Sequence, residues 1–191
     1  MSTSKVNEGP NRGIIQRMRE CFGRFARNRD GATAIEFTIL ALPFAALTFA
    51  ILETCISFTA QEVLANATDD IARQIRTGQL RRADITEVIL RQIICDRLEI
   101  IVANGCPDLV IELQNSATFE EAARKAKLTM QNNDIVSSGV NPGGALTINT
   151  LNVSYKWPVI TDFMRKAMSN LKDGKTLLFS TASWRNEPFD E

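Results

Sequence analysis

Gly31 and Glu36 stand five residues apart at the mouth of an apolar segment, in the run Arg29-Asp30-Gly31-Ala32-Thr33-Ala34-Ile35-Glu36-Phe37. Glycine has no Cβ and leaves the backbone open to close approach. A carboxylate set into a membrane-spanning segment costs roughly 2.5–3.5 kcal/mol at full depth on insertion scales, so it normally has a partner or a function. Glu36 therefore calls for a partner or a function, unless it is protonated or snorkels near the interface. Neither Gly31 nor Glu36 is arranged for acid–base catalysis.

Other chemistries find little to work with. The chain has no His, which removes His-based triads, His metal sites and the usual general base at neutral pH. It carries no Gly-rich phosphate loop, no Cys-x-x-Cys and no EF-hand loop, so no cofactor is expected. Lys and Arg beyond Arg82 are scattered, which gives a nucleic-acid surface no support. An anchored hydrolase using Ser or carboxylates lacks a visible nucleophile–base pair.

The elements around the pair define a membrane topology. Phe37 to Leu52 is uncharged; Glu53 interrupts, and Thr54 to Ala60 is uncharged again. As one helix, Phe37–Ala60 would span roughly 36 Å, enough for the ~30 Å hydrocarbon core. Pro43 lies inside it and predicts a kink or a lost hydrogen bond near Ile39. Glu53 falls near the far interface, where snorkelling suffices. Residues 1–30 hold seven Lys/Arg against three Asp/Glu, while the remainder holds 15 against 19, so the zero net charge hides opposite halves. The basic flank reads as cytoplasmic. A cleaved secretory signal fits poorly, because the apolar run is long and Glu36 is out of place. An uncleaved signal anchor remains open.

Beyond the membrane, Val63, Ala67, Ile71 and Ile75 recur every four residues, extending the helix from about Ala34 to Thr77, with Gly78 as terminator. A second helix is expected from an Asp84 N-cap, with Ile85, Val88, Ile89 and Ile93 inward. Leu109–Leu113 is a short strand. Leu151, Val153, Tyr155 and Trp157 alternate with Asn152, Ser154 and Lys156 as a half-buried strand. Phe119–Met130 reads as helical with Glu120 and Glu121 solvated, and Asn141–Gly144 as a turn before Ala145–Asn149. Asp162–Leu171 is a short amphipathic helix, and Lys172–Lys175 turns into a last strand, Thr176–Trp184. The fold class is α+β: a long N-terminal membrane-spanning helix carrying a small periplasmic domain of helices and a short antiparallel sheet. The expected divisions are a cytoplasmic basic leader 1–31, a membrane helix 32–60, and a periplasmic domain 61–191 that includes the helix extension 61–77.

Gly31 followed by four residues and Glu36-Phe37 resembles the processing site of Flp-type prepilins. With Leu42-Pro43 and Ile51-Leu52-Glu53, the stretch is similar to the TadE-like family of minor pilins and pseudopilins of the bacterial Tad (tight adherence) pilus system. The tail Arg185–Phe189 resembles the family's ending, and the similarity is best over residues 24–80. The resemblance implies cleavage after Gly31 by a prepilin peptidase, with Ala32 as the new N-terminus and Phe37 completing the recognised motif. It implies that Glu36 meets the Ala32 ammonium of a neighbouring subunit during assembly. It also implies a type IV pilin spine, partners among other Tad pilins and inner-membrane platform proteins, contact with membrane lipid, and a single-pass protein of the inner membrane that can enter the pilus. Major Flp pilins are much shorter, so the resemblance implies a minor role. The alternative is a membrane-anchored periplasmic protein whose motif is accidental.

The cysteines divide by this topology. Cys21 is cytoplasmic and Cys55 lies in the apolar segment, while Cys95 and Cys106 would meet an oxidising compartment, as a disulfide or as two buried thiols. A regular helix to Ala103 would hold that pair ~15 Å or more apart, beyond the ~4.4–6.8 Å Cα separation of a bridge. The family pattern includes such a pair near here, which implies a Cys95–Cys106 bridge and a helix that breaks shortly after Cys95.

Overall fold

The computed structural model describes Gly23 and residues 31–132, 134–171 and 173–189. The basic leader before Gly31 (Gly23 apart), Cys21 and Lys172 lie outside these residues. The chain divides into two compact units, Met1–Phe49 and Ala50–Glu191.

Helix α1, Ala32–Arg76, begins in the first unit and runs uninterrupted through Pro43. Its most apolar 18-residue window has a mean hydropathy of 2.1 and none of it is buried, making α1 long and apolar enough to cross a membrane. The hydroxyls of Thr38, Thr48, Thr54 and Thr59 each donate to the carbonyl four residues earlier, on Ala34, Phe44, Ala50 and Cys55, at 2.8–2.9 Å. Turned inward this way, polar side chains are satisfied without water, so they are tolerated in an apolar helix.

In the second unit α1 changes character. Glu53, Ser57, Ala60, Leu64, Ala67, Thr68, Ile71 and Ile75 are buried at three- and four-residue spacing, the stripe of a helix lying on a core. The expected stripe is there, centred on Leu64 and Ile71, with Val63 only partly buried against the core. Two residues past the end of α1 the chain turns at Gly78, whose φ of +72° suits glycine. There Gln79 N–H donates to the Gln74 carbonyl at 2.9 Å, in the manner of a glycine C-cap. A Cβ at Gly78 would sit 2.7 Å from Phe189 Cγ. The tail around Phe189 packs here, with Glu187 N–H on the Arg76 carbonyl at 2.9 Å.

Helix α2, Glu87–Leu98, is capped by Thr86, whose hydroxyl accepts from Ile89 N–H at 3.3 Å. Two expectations are corrected here. Asp84 is not the cap; its N–H closes a turn on the Arg81 carbonyl. The buried face carries Leu90, Ile94, Cys95 and Leu98, with Ile93 at its margin, whereas Val88 is 74% exposed and Ile89 also faces out. Both faces of this helix carry β-branched apolar residues, and the core selects the one that lets Cys95 point inward. The helix stops at Leu98 and the chain returns, joining Cys95 to Cys106 with Cα atoms 5.8 Å apart. Opening this bridge by Cys95→Ser with Cys106→Ser should lower stability by roughly 2–3 kcal/mol. Urea unfolding of the two proteins side by side would measure it, and an unchanged midpoint would remove the bridge from the stabilising contacts.

Strands β1 (Leu109–Ser116), β2 (Met130–Gln131), β3 (Asp134–Ile135), β4 (Val140–Asn141), β5 (Ile148–Pro158) and β6 (Lys175–Arg185) form a four-stranded sheet of order β4-β1-β5-β6 and a separate β2–β3 pair. β1–β5 and β5–β6 are antiparallel, with Leu113 opposite Leu151 and Val153 opposite Ser180. The short β4 adds a parallel edge that the sequence pattern does not announce. Leu109, Ile111 and Leu113 of β1 and Leu151, Val153, Tyr155 and Trp157 of β5 share one core with α1 and α2.

The other face of β5 departs from the half-buried expectation. Asn152 and Ser154 are buried too. Helix α3, Phe119–Lys125, shorter than the expected Phe119–Met130, lies against this face. There Asn152 Nδ2 donates to the Lys125 carbonyl at 2.9 Å and to Glu112 Oε2 at 3.2 Å, while Thr181 Oγ1 donates to Asn152 Oδ1 at 2.7 Å. The polar residues are therefore a satisfied second layer, not a wet surface. Helix α4, Asp162–Met168, ends before the expected Leu171 and buries no side chain.

Candidate processing site and the latch at Glu53

Gly31 immediately precedes α1 and is exposed, and a Cβ built there meets no atom within 4 Å. Ala32 opens the helix, and Glu36 and Phe37 follow in its second turn. Residues four apart share a helix face, so position 32 and Glu36 lie along one side of α1. Glu36 is exposed and, among the described residues, has no hydrogen-bond or ion-pair partner; Phe37 is exposed as well. The structure thus keeps Gly31, Ala32, Glu36 and Phe37 on consecutive turns at one end of the helix. Cys95 and Cys106 are bound to each other in the second unit.

The carboxylate that does have partners is Glu53, for which snorkelling is the expectation from its place in the sequence. It is 4% exposed. Its Oε1 accepts from Ile160 N–H at 2.5 Å and from Thr161 N–H at 3.3 Å, and its Oε2 accepts from the Thr161 hydroxyl. These donors are the loop that enters α4, and Thr161 is that helix's N-cap residue. A carboxylate satisfied by main-chain N–H groups at a helix entrance is a favourable way to bury its charge. Eight residues on, Gln61 makes a second link. Its Nε2 donates to the Phe179 carbonyl at 2.7 Å and its Oε1 accepts from Phe179 N–H at 3.1 Å, closing part of the free edge of β6. Glu53 and Gln61 together fix α1 to the sheet domain by polar contacts, on the face that the apolar stripe packs. The one signal in the sequence was the carboxylate itself, since a charge inside an apolar run calls for a partner.

A cavity of about 290 Å³ lies beside this latch, walled by Ile56, Ile101, Val102, Tyr155, Trp157 and Ile160, among others. At its margin Lys175 Nζ donates to both Asp108 oxygens at 2.8 Å. That hydrogen bond, more than any other influence, holds the Lys175 ammonium above the ordinary lysine value. Its stabilisation is complete below the unfolded lysine pKa and is lost as pH rises through the folded one. Burial pushes the Tyr155 hydroxyl upward. Among the described residues no group of three or more His, Cys, Asp or Glu is placed to hold a metal ion.

Among the described residues one exposed apolar helix, α1, is long enough to cross a membrane and fits a single-pass membrane anchor, and the second unit is α+β. Residues 31–73 match the family model described as TadE-like protein. The match starts at Gly31, takes in Glu36, Phe37 and Glu53, and ends at Arg73, in the part of α1 that carries the buried stripe, so the similarity to that family rests on this segment. No curated protein and no solved structure matches the chain.

Proposed function

We propose that the protein is a minor pilin or pseudopilin that takes part in building a Tad pilus. The observation that carries this reading is the start of the TadE-like match at Gly31, the small residue before Ala32-Thr33-Ala34-Ile35-Glu36-Phe37, at the head of an exposed apolar helix. A prepilin peptidase at the cytoplasmic face cuts after Gly31. The helix stays in the inner membrane with its basic end cytoplasmic, and the head stands in the periplasm, a compartment compatible with the Cys95–Cys106 bridge. Mature Ala32 then carries an ammonium, and Glu36 of a neighbouring subunit pairs with it in the growing fibre. The head binds sibling pilins and platform proteins and performs no catalysis.

N-terminal sequencing of the protein from peptidase-competent cells should read Ala-Thr-Ala-Ile-Glu. Deleting the gene should abolish or sharply reduce piliation and surface attachment. Glu36→Ala should still be cleaved and inserted but should fail to restore piliation in the deletion strain, because removing one partner of a buried ion pair typically costs about 3–5 kcal/mol. Piliation at the wild-type level in that strain would show that the Glu36 carboxylate is not an assembly group. Full piliation after gene deletion would leave an anchored periplasmic protein outside the pilus system.

A further inference from the structure

We infer that the loop Pro158–Thr161 and helix α4 form a foot that rests in the bilayer surface beneath the head. The inference depends on α1 being a membrane helix, as proposed above. From Ala32 to Leu52 the helix rises about 31 Å, close to the ~30 Å hydrocarbon thickness. Glu53, the next residue, therefore falls at the interface on the head's side. Its hydrogen bonds to Ile160 and Thr161 bring that backbone to the same level. The adjoining side chains are the wrong kind for water: Ile160 is 69% exposed, Phe163 in the first turn of α4 63%, and Ile100 88%. Ile100 adjoins Ile101, which shares the cavity wall with Ile56 and Ile160, so it belongs to the same end of the domain. Phe163 lies within about one helical turn of the latched Thr161. Lys166, exposed on α4 beside Phe163, adds a cation without an ion-pair partner among the described residues, while Arg165 pairs with Asp162 at 2.9 Å. Aromatic and aliphatic side chains next to Lys and Arg, on a short helix joined to a membrane segment, fit the headgroup–acyl boundary. The lipid that takes the exposed apolar residues of α1 is the occupant. In this arrangement Glu53 sets how deep the head sits.

The test uses the full chain, with Cys21→Ser and Cys55→Ser, in vesicles of phosphatidylethanolamine and phosphatidylglycerol. An environment-sensitive fluorophore is placed singly at Ile160→Cys, Phe163→Cys, Leu42→Cys or Ser138→Cys, and read against lipids with shallow or deep nitroxides. Fluorophores at 160 and 163 should shift to the blue and lose most of their intensity to the shallow nitroxide. The one at 42 should respond to the deep nitroxide, and the one at 138 to neither. Adding Phe163→Asp should reduce quenching at position 160. If 42 is quenched while 160 and 163 behave like 138, the foot is overturned, the membrane helix stands, and a protein becomes the occupant of this surface. If 42 is not quenched either, the membrane reading falls and the foot falls with it.

Discussion

A Gly31→Leu protein should reach the membrane in normal amount and retain residues 1–31, whereas the wild type, on the processing proposed above, should lose them. The expected effect is close to complete loss of cleavage, visible as a heavier species on intact-mass analysis. Its interest lies in how little the fold has to do with it. Gly31 is exposed, its backbone is not in the left-handed region, and a Cβ there meets nothing within 4 Å. A side chain at this position therefore disturbs no packing, and leucine lengthens the apolar segment that drives insertion. Any loss of processing must then come from the peptidase, whose groove has to accept an open backbone at the scissile bond. A leucine variant cut as efficiently as the wild type would remove Gly31 as the processing residue. Gly31→Ala, which adds the smallest side chain, should slow cleavage without abolishing it.

What could be read from the sequence follows the range of the interactions involved. The leader motif and the apolar segment are local, and so is the Gly78 stop, because each depends on residues within a few turns. The strand Leu109–Leu113 and the alternation at Leu151–Trp157 are likewise carried by short periodicity, although both strands run longer in the sheet. Misreadings arose where several faces were equally apolar. In α2, Val88, Ile89, Leu90, Ile93 and Ile94 leave the inward face undetermined until the sheet and the Cys95–Cys106 bridge choose it. Asp84 and Thr86 are both good N-cap residues, and Thr86 is the one with an extended backbone (φ −119°, ψ 160°) and a hydroxyl on Ile89 N–H. The polar face of β5 looked solvated because its cover, α3, is contributed by a segment about 30 residues earlier in the chain. Glu53 was hidden for the same reason on a larger scale, since its partners follow it by 107 and 108 residues.

Removing that carboxylate should be a strongly damaging single change in the head. Glu53→Ala leaves the N–H groups of Ile160 and Thr161 and the Thr161 hydroxyl without their acceptor, in place of a carboxylate that is itself only 4% exposed. Each orphaned buried donor costs roughly 1–3 kcal/mol, and some of that is recovered as the loop relaxes. A net loss of about 3 kcal/mol is expected, a large share of the 5–15 kcal/mol typical of a domain. Glu53→Gln keeps the shape and one acceptor oxygen, so it should lose about half as much. The damage should also be localised, because the apolar stripe from Ala60 to Ile75 and the Gln61–Phe179 contacts do not depend on Glu53. Amide hydrogen exchange should therefore accelerate at Ile160, Thr161 and the first turn of α4 in the alanine variant, while the amides of β5 stay protected. Unchanged exchange at Ile160 and Thr161 would mean that Glu53 does not hold the loop, and the depth-setting role of the latch would go with it.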